Sequence, residues 1–380
     1  MSILIIKEKR SEKIDGTIVH LLNFCKELNR RNIEYYVLYN FKDYAFNFLK
    51  KQKINILQFD FPKSGIKDFL NFKKKNKFKN FLNEFLIHKN ITKIICYTPY
   101  LLGVLPKINK NINISCLNLA SFGKEDFNFF NKKNFNNLRS FINFFYYKYI
   151  YFNYEIADNI ICSGNDSAQY IRYLKESYKK KIKILFNFTD LNGFKNKNLL
   201  IKKFNRKKKI VIGLGRFTID KGAEDFCIIA KKQNKINNYK FIYVAPFDKK
   251  NSQFRKRLIV KYKKYVSFIG YKKNMRTIFV NSNLFLFLSR REAFPLVCLE
   301  SMRVSTPIIG WNTVGVRDVV KHNKNGYLSK IGDYQNVSKN LTMILDNKNL
   351  YRKFSINSYN FSKKFTPYFF VNNLKKLKLI

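Results

Sequence analysis

The stretch LFLFLSRREAFPLVCLESMRVSTPIIGW, residues 284–311, contains a whole folding unit in miniature. Leu284–Leu288 is a short apolar run of the kind that forms a buried strand. Ser289–Glu292 is polar and reads as a loop. Proline fits a helix only in its first turn, so Pro295 predicts a helix that begins near Phe294. Pro307–Gly310 reads as the next strand. Strand, helix and strand in this order make a parallel unit, and in open parallel sheets ligands bind beyond the carboxyl ends of the strands. Two carboxylates bracket this junction. Glu292 sits in the loop, and Glu300 falls about 1.5 turns into the helix at ~3.6 residues per turn. Residues 191–380 hold only nine acidic residues, so two of them at one helix start require a reason. The free N–H groups of a helix start suit phosphate. Carboxylates repel phosphate and accept hydrogen bonds from hydroxyl groups instead.

The same alternation runs outward in both directions. Strand-like runs occur at Ser2–Ile6, Tyr35–Tyr39, Ile54–Phe59, Ile94–Tyr97, Ile114–Leu117 and Ile160–Cys162. Helical patterns separate most of them, as with Ile18, Leu21, Leu22, Cys25 and Leu28. After a polar, basic stretch the alternation restarts at Lys209–Gly213 and continues through Phe241–Val244 and Val266–Ile269. The reading is an α/β chain of two similar domains: 1–190, a linker at 191–208, a second domain at 209–363, and a last helix in 364–380.

Length and composition agree with two domains: 380 residues, 46% of them hydrophobic. The six cysteines are scattered without a C-x-x-C pair, which argues for buried thiols in a reducing compartment. The three histidines are scattered too, so no metal site is expected. The apolar run at the N-terminus is too short for a signal peptide, and no stretch reaches the ~18 apolar residues of a membrane span. The expected location is cytoplasmic. The net charge is +49, and both halves are basic: 33 basic against 16 acidic residues in 1–190, and 41 against nine in 191–380. Two readings account for it, an anionic partner such as a membrane surface or nucleic acid, and a composition inflated in residues with A- and T-rich codons. The segment Phe141–Tyr154, FINFFYYKYIYFNY, reads as a core helix or as one lying against lipid. His20 reads as a packed or surface histidine, and His88 and His322 as surface residues.

A second cluster lies at VIGLGRFTIDKG, residues 211–222. It is a strand, a turn with Gly215, then Arg216 and Lys221-Gly222. An arginine and a lysine at this place can neutralise a diphosphate. Thr218 stands where a dinucleotide fingerprint needs glycine, and the G-K-[ST] ending of a P-loop is missing.

The two clusters together resemble a known family. G-R-x(4)-K-G followed some 75 residues later by E-x7-E resembles the retaining glycosyltransferases of family GT4, glycosyl transferases group 1, which have the GT-B fold. Other blocks follow in order: Ala157–Ser163, Ile184–Asp190, Ser305–Ile309, Gly315–Val320 and Asn325–Leu328. The resemblance covers most of the chain and is strongest from residue 157 onward. It implies two Rossmann-like domains facing each other across a cleft, with a last helix crossing back to the first domain. It implies a nucleotide-sugar donor, UDP- or GDP-linked, and no metal or other cofactor. Arg216 and Lys221 would hold the donor diphosphate, and Glu292 the hydroxyls of the donor sugar. Glu300 would hold the ribose, and the amides around Phe294, Pro295, Leu296 and Val297 would lie near the phosphates. Gly215 and Gly16 would let the backbone approach the donor. The implied acceptor is a glycan or lipid-linked glycan in bacterial surface polysaccharide (LPS, O-antigen or capsule) assembly, with the enzyme peripheral on the inner face of the plasma membrane.

The chain departs from the family in three places. The family's histidine near the donor sugar is missing from Asn118–Gly123, where Ser121 stands nearby; Ser305 replaces a glycine; and Asp318 replaces a glutamate. Competing readings are a basic nucleic-acid-binding protein and a GT-B protein that binds sugar nucleotides without transfer. The first lacks an RRM, KH or zinc-finger signature. The second sits poorly with all four of Arg216, Lys221, Glu292 and Glu300 being present.

Overall fold

A computed structural model describes residues 2–8, 15–62, 71–105, 111–119, 150, 152–190, 204–234, 239–247, 251–270 and 274–380. The chain divides into two compact units, Met1–Thr189 with Pro367–Ile380, and Asp190–Thr366. Of the residues singled out above, Ser121, most of the aromatic segment and 191–203 lie outside the described residues.

The first unit is built on a seven-stranded sheet. Its strands are β1 (Ser2–Lys7), β2 (Tyr35–Tyr39), β3 (Ile56–Gln58), β4 (Ile91–Cys96), β5 (Asn113–Asn118), β6 (Asn159–Cys162) and β7 (Ile182–Ile184), in the order β3-β2-β1-β4-β5-β6-β7. Every pair is parallel. Alternate residues of a strand face opposite sides. Accordingly Ile3 and Ile5 join one core with Ile18, Leu21 and Phe24 of helix α1 (Gly16–Arg30), while Leu4 and Ile6 join the other with Phe78 and Leu82. A sheet covered on both faces needs unbroken apolar strands, which is why SILII carries no polar alternation.

The second unit repeats the plan with six parallel strands: β8 (Ile210–Leu214), β9 (Lys240–Ala245), β10 (Val266–Gly270), β11 (Leu284–Phe287), β12 (Ile308–Trp311) and β13 (Gly326–Ser329). Their order is β10-β9-β8-β11-β12-β13. Three helices matter for the site: α2 (Ala223–Gln233), α3 (Leu296–Arg303) and α4 (Tyr334–Asp346). The expected strands are present with small shifts. β7 and β13, of three and four residues, were not anticipated as strands. Helix α3 starts at Leu296 with Pro295 as its N-cap, two residues later than expected, so Glu300 stands just over one turn in.

The last helix, α5 (Pro367–Lys376), belongs to the first unit. Phe370, Val371 and Leu374 enter the core that holds Phe24 and Leu28. Arg31 donates to the Asn372 side chain at 2.6 Å and to the Tyr368 carbonyl at 3.2 Å. His20 is buried in the same core, with Phe188 and Phe370 rings 4.4 and 5.3 Å away and Nδ1 3.0 Å from the Tyr97 hydroxyl. Burial pushes its pKa down to about 3, so it packs as a neutral ring. His88 and His322 are exposed.

Ser305 explains one departure from the family pattern. It has φ 59°, in the left-handed region. Its N–H donates to the Met302 carbonyl at 2.9 Å, and the Thr306 N–H donates to the Ser301 carbonyl at 3.1 Å. These two bonds end α3 in a Schellman turn, whose left-handed position favours glycine. A non-glycine residue there costs about 1–2 kcal/mol. Ser305→Gly is therefore expected to stabilise the protein by about 1 kcal/mol and raise its Tm by about 2–4 °C, measured by thermal unfolding. An unchanged or lower Tm would show that the turn carries no such strain.

Candidate functional site

The site forms where the winding of the second sheet reverses. β8 is flanked by β9 on one side and β11 on the other. The connections leaving β8 and β11 run to opposite sides, and the crevice between them is where such sheets bind ligands. The loop after β8 carries Gly215, Arg216, Lys221 and Gly222; the loop after β11 carries Glu292.

These loops touch backbone to backbone. Gly222 has φ +65°, and a Cβ there would lie 2.2 Å from the Leu288 carbonyl oxygen. Gly315, with φ +72°, would place a Cβ 2.1 Å from the carbonyl oxygen of Glu292. The Glu292 N–H donates to the Val314 carbonyl at 3.1 Å, so its backbone is held from the side of β12 as well. Glycine is thus required at 222 and 315 by conformation and by space.

The side chains meet across this contact. Lys221 Nζ lies 2.7 Å from Glu292 Oε1, both side chains being 21% exposed. The two residues are 71 apart in sequence. Arg216 is more open, its Nη2 lying 3.6 Å from Asp220 Oδ2. The Tyr243 hydroxyl donates to the Arg216 carbonyl at 3.3 Å and fixes the turn. A Cβ on Gly215 would meet the Lys221 Cβ at 3.0 Å, so the chain folds tightly back on itself here.

Phe294 and Pro295 are buried, with the Phe294 ring 5.3 Å from Phe365, while Leu296 and Val297 are partly exposed. Among the described residues no side chain caps the start of α3. The first N–H groups of a helix have no intrahelical partner, so they are available to an acceptor from outside. Cys298, which lies between Glu292 and Glu300 in sequence, is buried. Burial first, and then Glu292 and Glu300, hold its thiol protonated. Burial pushes the Glu300 carboxyl up to about 7. Among the described residues no ion pair or hydrogen bond to that carboxyl is present.

Gly16 belongs to the first unit, at the start of α1. Asp15 caps that helix by accepting from the N–H groups of Thr17 and Ile18. Among the described residues a Cβ on Gly16 would meet nothing within 4 Å. Among the described residues no group of three or more His, Cys, Asp or Glu could hold a metal ion. No described helix is long and apolar enough to cross a membrane.

The site contains residues that the sequence reading passed over. Arg290 pairs with the buried Asp225 of α2, and Ser289 donates to the Asp220 carbonyl. In a chain with 74 basic residues, one more arginine before Glu292 carried no signal.

With this geometry in place, the likeness to known proteins is specific. Residues 195–361 match the family model of glycosyl transferases group 1. That match lies within the second unit, Asp190–Thr366. The chain is 36% identical over 87 residues to the N-acetyl-alpha-D-glucosaminyl L-malate synthase of Bacillus anthracis, which is 23% of each chain. It is 26% identical over 242 residues to a GalNAc-alpha-(1->4)-GalNAc-alpha-(1->3)-diNAcBac-PP-undecaprenol alpha-1,4-N-acetyl-D-galactosaminyltransferase of Campylobacter jejuni. That match covers 60% of this chain and 61% of the relative. The fold is that of the Anabaena protein HepE, solved in complex with UDP-glucose, with TM-score 0.75 over 100% of this chain and 99% of that one at 15% identity. The architecture is thus GT-B.

Glu300 gives a pH signature. Its folded pKa of about 7 lies above the ordinary 4.5, so the folded state holds the extra proton between those values. Stability then falls as pH rises from 4.5 through 7 and levels off above, because ionising the buried carboxyl disfavours the folded form. The unfolding free energy of the wild type minus that of Glu300→Gln should decline across that window in denaturant titrations. A difference that stays flat would contradict the burial of this carboxyl.

Proposed function

We propose that the chain is a retaining glycosyltransferase. It moves a sugar from a UDP- or GDP-linked donor to a glycan or lipid-linked glycan acceptor. The observation that carries this reading is the Lys221–Glu292 pair, formed at the switch point of a glycosyl transferases group 1 domain. One cation and one carboxylate are held side by side, next to an uncapped helix start. A nucleotide-sugar presents phosphate beside hydroxyl groups and matches that arrangement.

In this reading Arg216, Lys221 and the N–H groups of Leu296 and Val297 bind the diphosphate, and Glu292 accepts from donor-sugar hydroxyls. Glu300 accepts from the ribose. In the reaction the bond between the anomeric carbon and the leaving phosphate oxygen breaks, and a bond to the acceptor oxygen forms on the same face. The acceptor's proton passes to the leaving phosphate. Charge that builds on the diphosphate is met by these two cations and the amides, which do the work a metal does in other enzymes. The Campylobacter relative's name places its acceptor on PP-undecaprenol, and this supports a lipid-linked acceptor; we place the protein as peripheral on the inner face of a bacterial plasma membrane. A net charge of +49 suits a peripheral protein at an anionic surface there.

The test is a turnover and thermal-shift panel at physiological salt with UDP-, GDP- and ADP-sugars. One donor is expected to stabilise the protein and to be slowly hydrolysed. Arg216→Ala should abolish the shift, and Glu292→Ala should cut turnover by about 100-fold or more. Indifference to every donor, together with salt-sensitive binding to random RNA, would replace this reading with a nucleic-acid-binding one.

A further inference from the structure

Asp225 has none of the roles described above, yet more side chains converge on it than on either site glutamate. It stands in the first turn of α2 and is 5% exposed. Arg290 Nη2 donates to both of its oxygens, at 3.2 and 3.1 Å. Trp311 Nε1–H donates to Oδ2 at 3.4 Å, and the Tyr334 hydroxyl donates to Oδ1 at 2.7 Å. These partners come from the β11 loop, the end of β12 and the start of α4. A buried carboxylate is tolerated only when its charge and lone pairs are met, and here they are.

The important question is what this hub immobilises. Arg290 is two residues from Glu292. Its own N–H donates to the Asp220 carbonyl at 2.8 Å, and the Ser289 hydroxyl donates to that carbonyl at 3.3 Å. Asp220 is the neighbour of Lys221 and the partner of Arg216. The loop with Glu292 is therefore fastened twice, by backbone to Asp220 in the loop with Arg216 and Lys221, and by charge to Asp225 in the helix that this loop leads into.

We propose that Asp225 is a positioning residue for the donor site. By holding Arg290 it sets the spacing of Lys221 and Glu292, and so couples the diphosphate side of the site to the hydroxyl side. The proposal rests on the donor reading for its kinetic consequence, but the positioning itself does not. A third partner is useful experimentally: Trp311 is the only tryptophan in the chain, so tryptophan emission reports on the surroundings of this one ring, Asp225 among them.

Hydrogen exchange on the full chain tests the positioning without any donor. Asp225→Asn and Arg290→Met are each expected to lose protection in the peptide containing residues 289–293, including the Glu292 amide. Protection in 334–346 should remain. Tyr334→Phe removes one hydrogen bond to the same carboxylate and keeps the ion pair. It should lower the Tm while leaving protection in 289–293 intact. Unchanged protection in Asp225→Asn would overturn the proposal, whatever the donor results. The kinetic arm uses donor hydrolysis with the best sugar nucleotide. Asp225→Asn and Arg290→Met should each lower kcat by about tenfold, with the double variant no worse than the weaker single. Tyr334→Phe should stay within about twofold, and donor should shift the Trp311 emission in wild type. Effects of Asp225 and Arg290 that multiply would contradict a shared role. Loss of protection in a protein that turns over no donor would uphold the positioning and sink the glycosyltransferase reading instead.

Discussion

Lys221 and Glu292 stand 2.7 Å apart although 71 residues separate them, and much of the second unit serves to bring them there. β8 and β11 must be neighbours, so that their loops open on the same crevice. Gly222 and Gly315 must lack side chains, so that the loops can close on the Leu288 and Glu292 carbonyls. Gly213 obeys the same constraint one layer down, where a Cβ would press within 2.6 Å of the Phe226 ring. The pair is also chemically divided: the cation suits phosphate and the carboxylate suits hydroxyl groups. A donor that takes hold of Lys221 must draw it from Glu292 and free that carboxylate for the sugar. Binding and readiness for the chemistry would then be linked through a single contact.

The first unit is organised differently around its own sheet. Its core draws on both ends of the chain, since α1 and α5 pack together on the Ile3 and Ile5 face. His20 and the aromatic rings of Tyr97, Phe188 and Phe370 fill that junction. Gly16 follows the carboxyl end of β1, the end of a parallel sheet at which this fold class receives ligands.

The features that the sequence made legible are local ones. Apolar runs of four to six residues between helical patterns define a parallel sheet because both faces are buried. Pro295 marks a helix start through its ring geometry, although the helix begins at Leu296, two residues later than expected. Arg216, Lys221, Glu292 and Glu300 could be picked out because each sits at a fixed offset from a strand end. Asp225 and Arg290 could not, because their ion pair forms only when the fold brings together residues 65 apart, and Trp311 and Tyr334 reach the same carboxylate from 86 and 109 residues away. The strands β7 and β13 are too short to show a period. Ser305 was visible as a departure from a family glycine, but its cost became clear only from the left-handed φ of the turn.

The most direct test of the central claim is the affinity of the bare nucleoside diphosphate, without sugar, for wild type and Glu292→Gln. Calorimetry with UDP and GDP would supply it. Removing the charge of Glu292 releases Lys221, and a half-buried pair of this kind is worth about 1 kcal/mol. The account predicts that Glu292→Gln binds the diphosphate more tightly, on the order of fivefold, even as turnover of the sugar donor falls. Equal or weaker binding would mean that Lys221 does not pass from Glu292 to the phosphate, and the site would need another explanation.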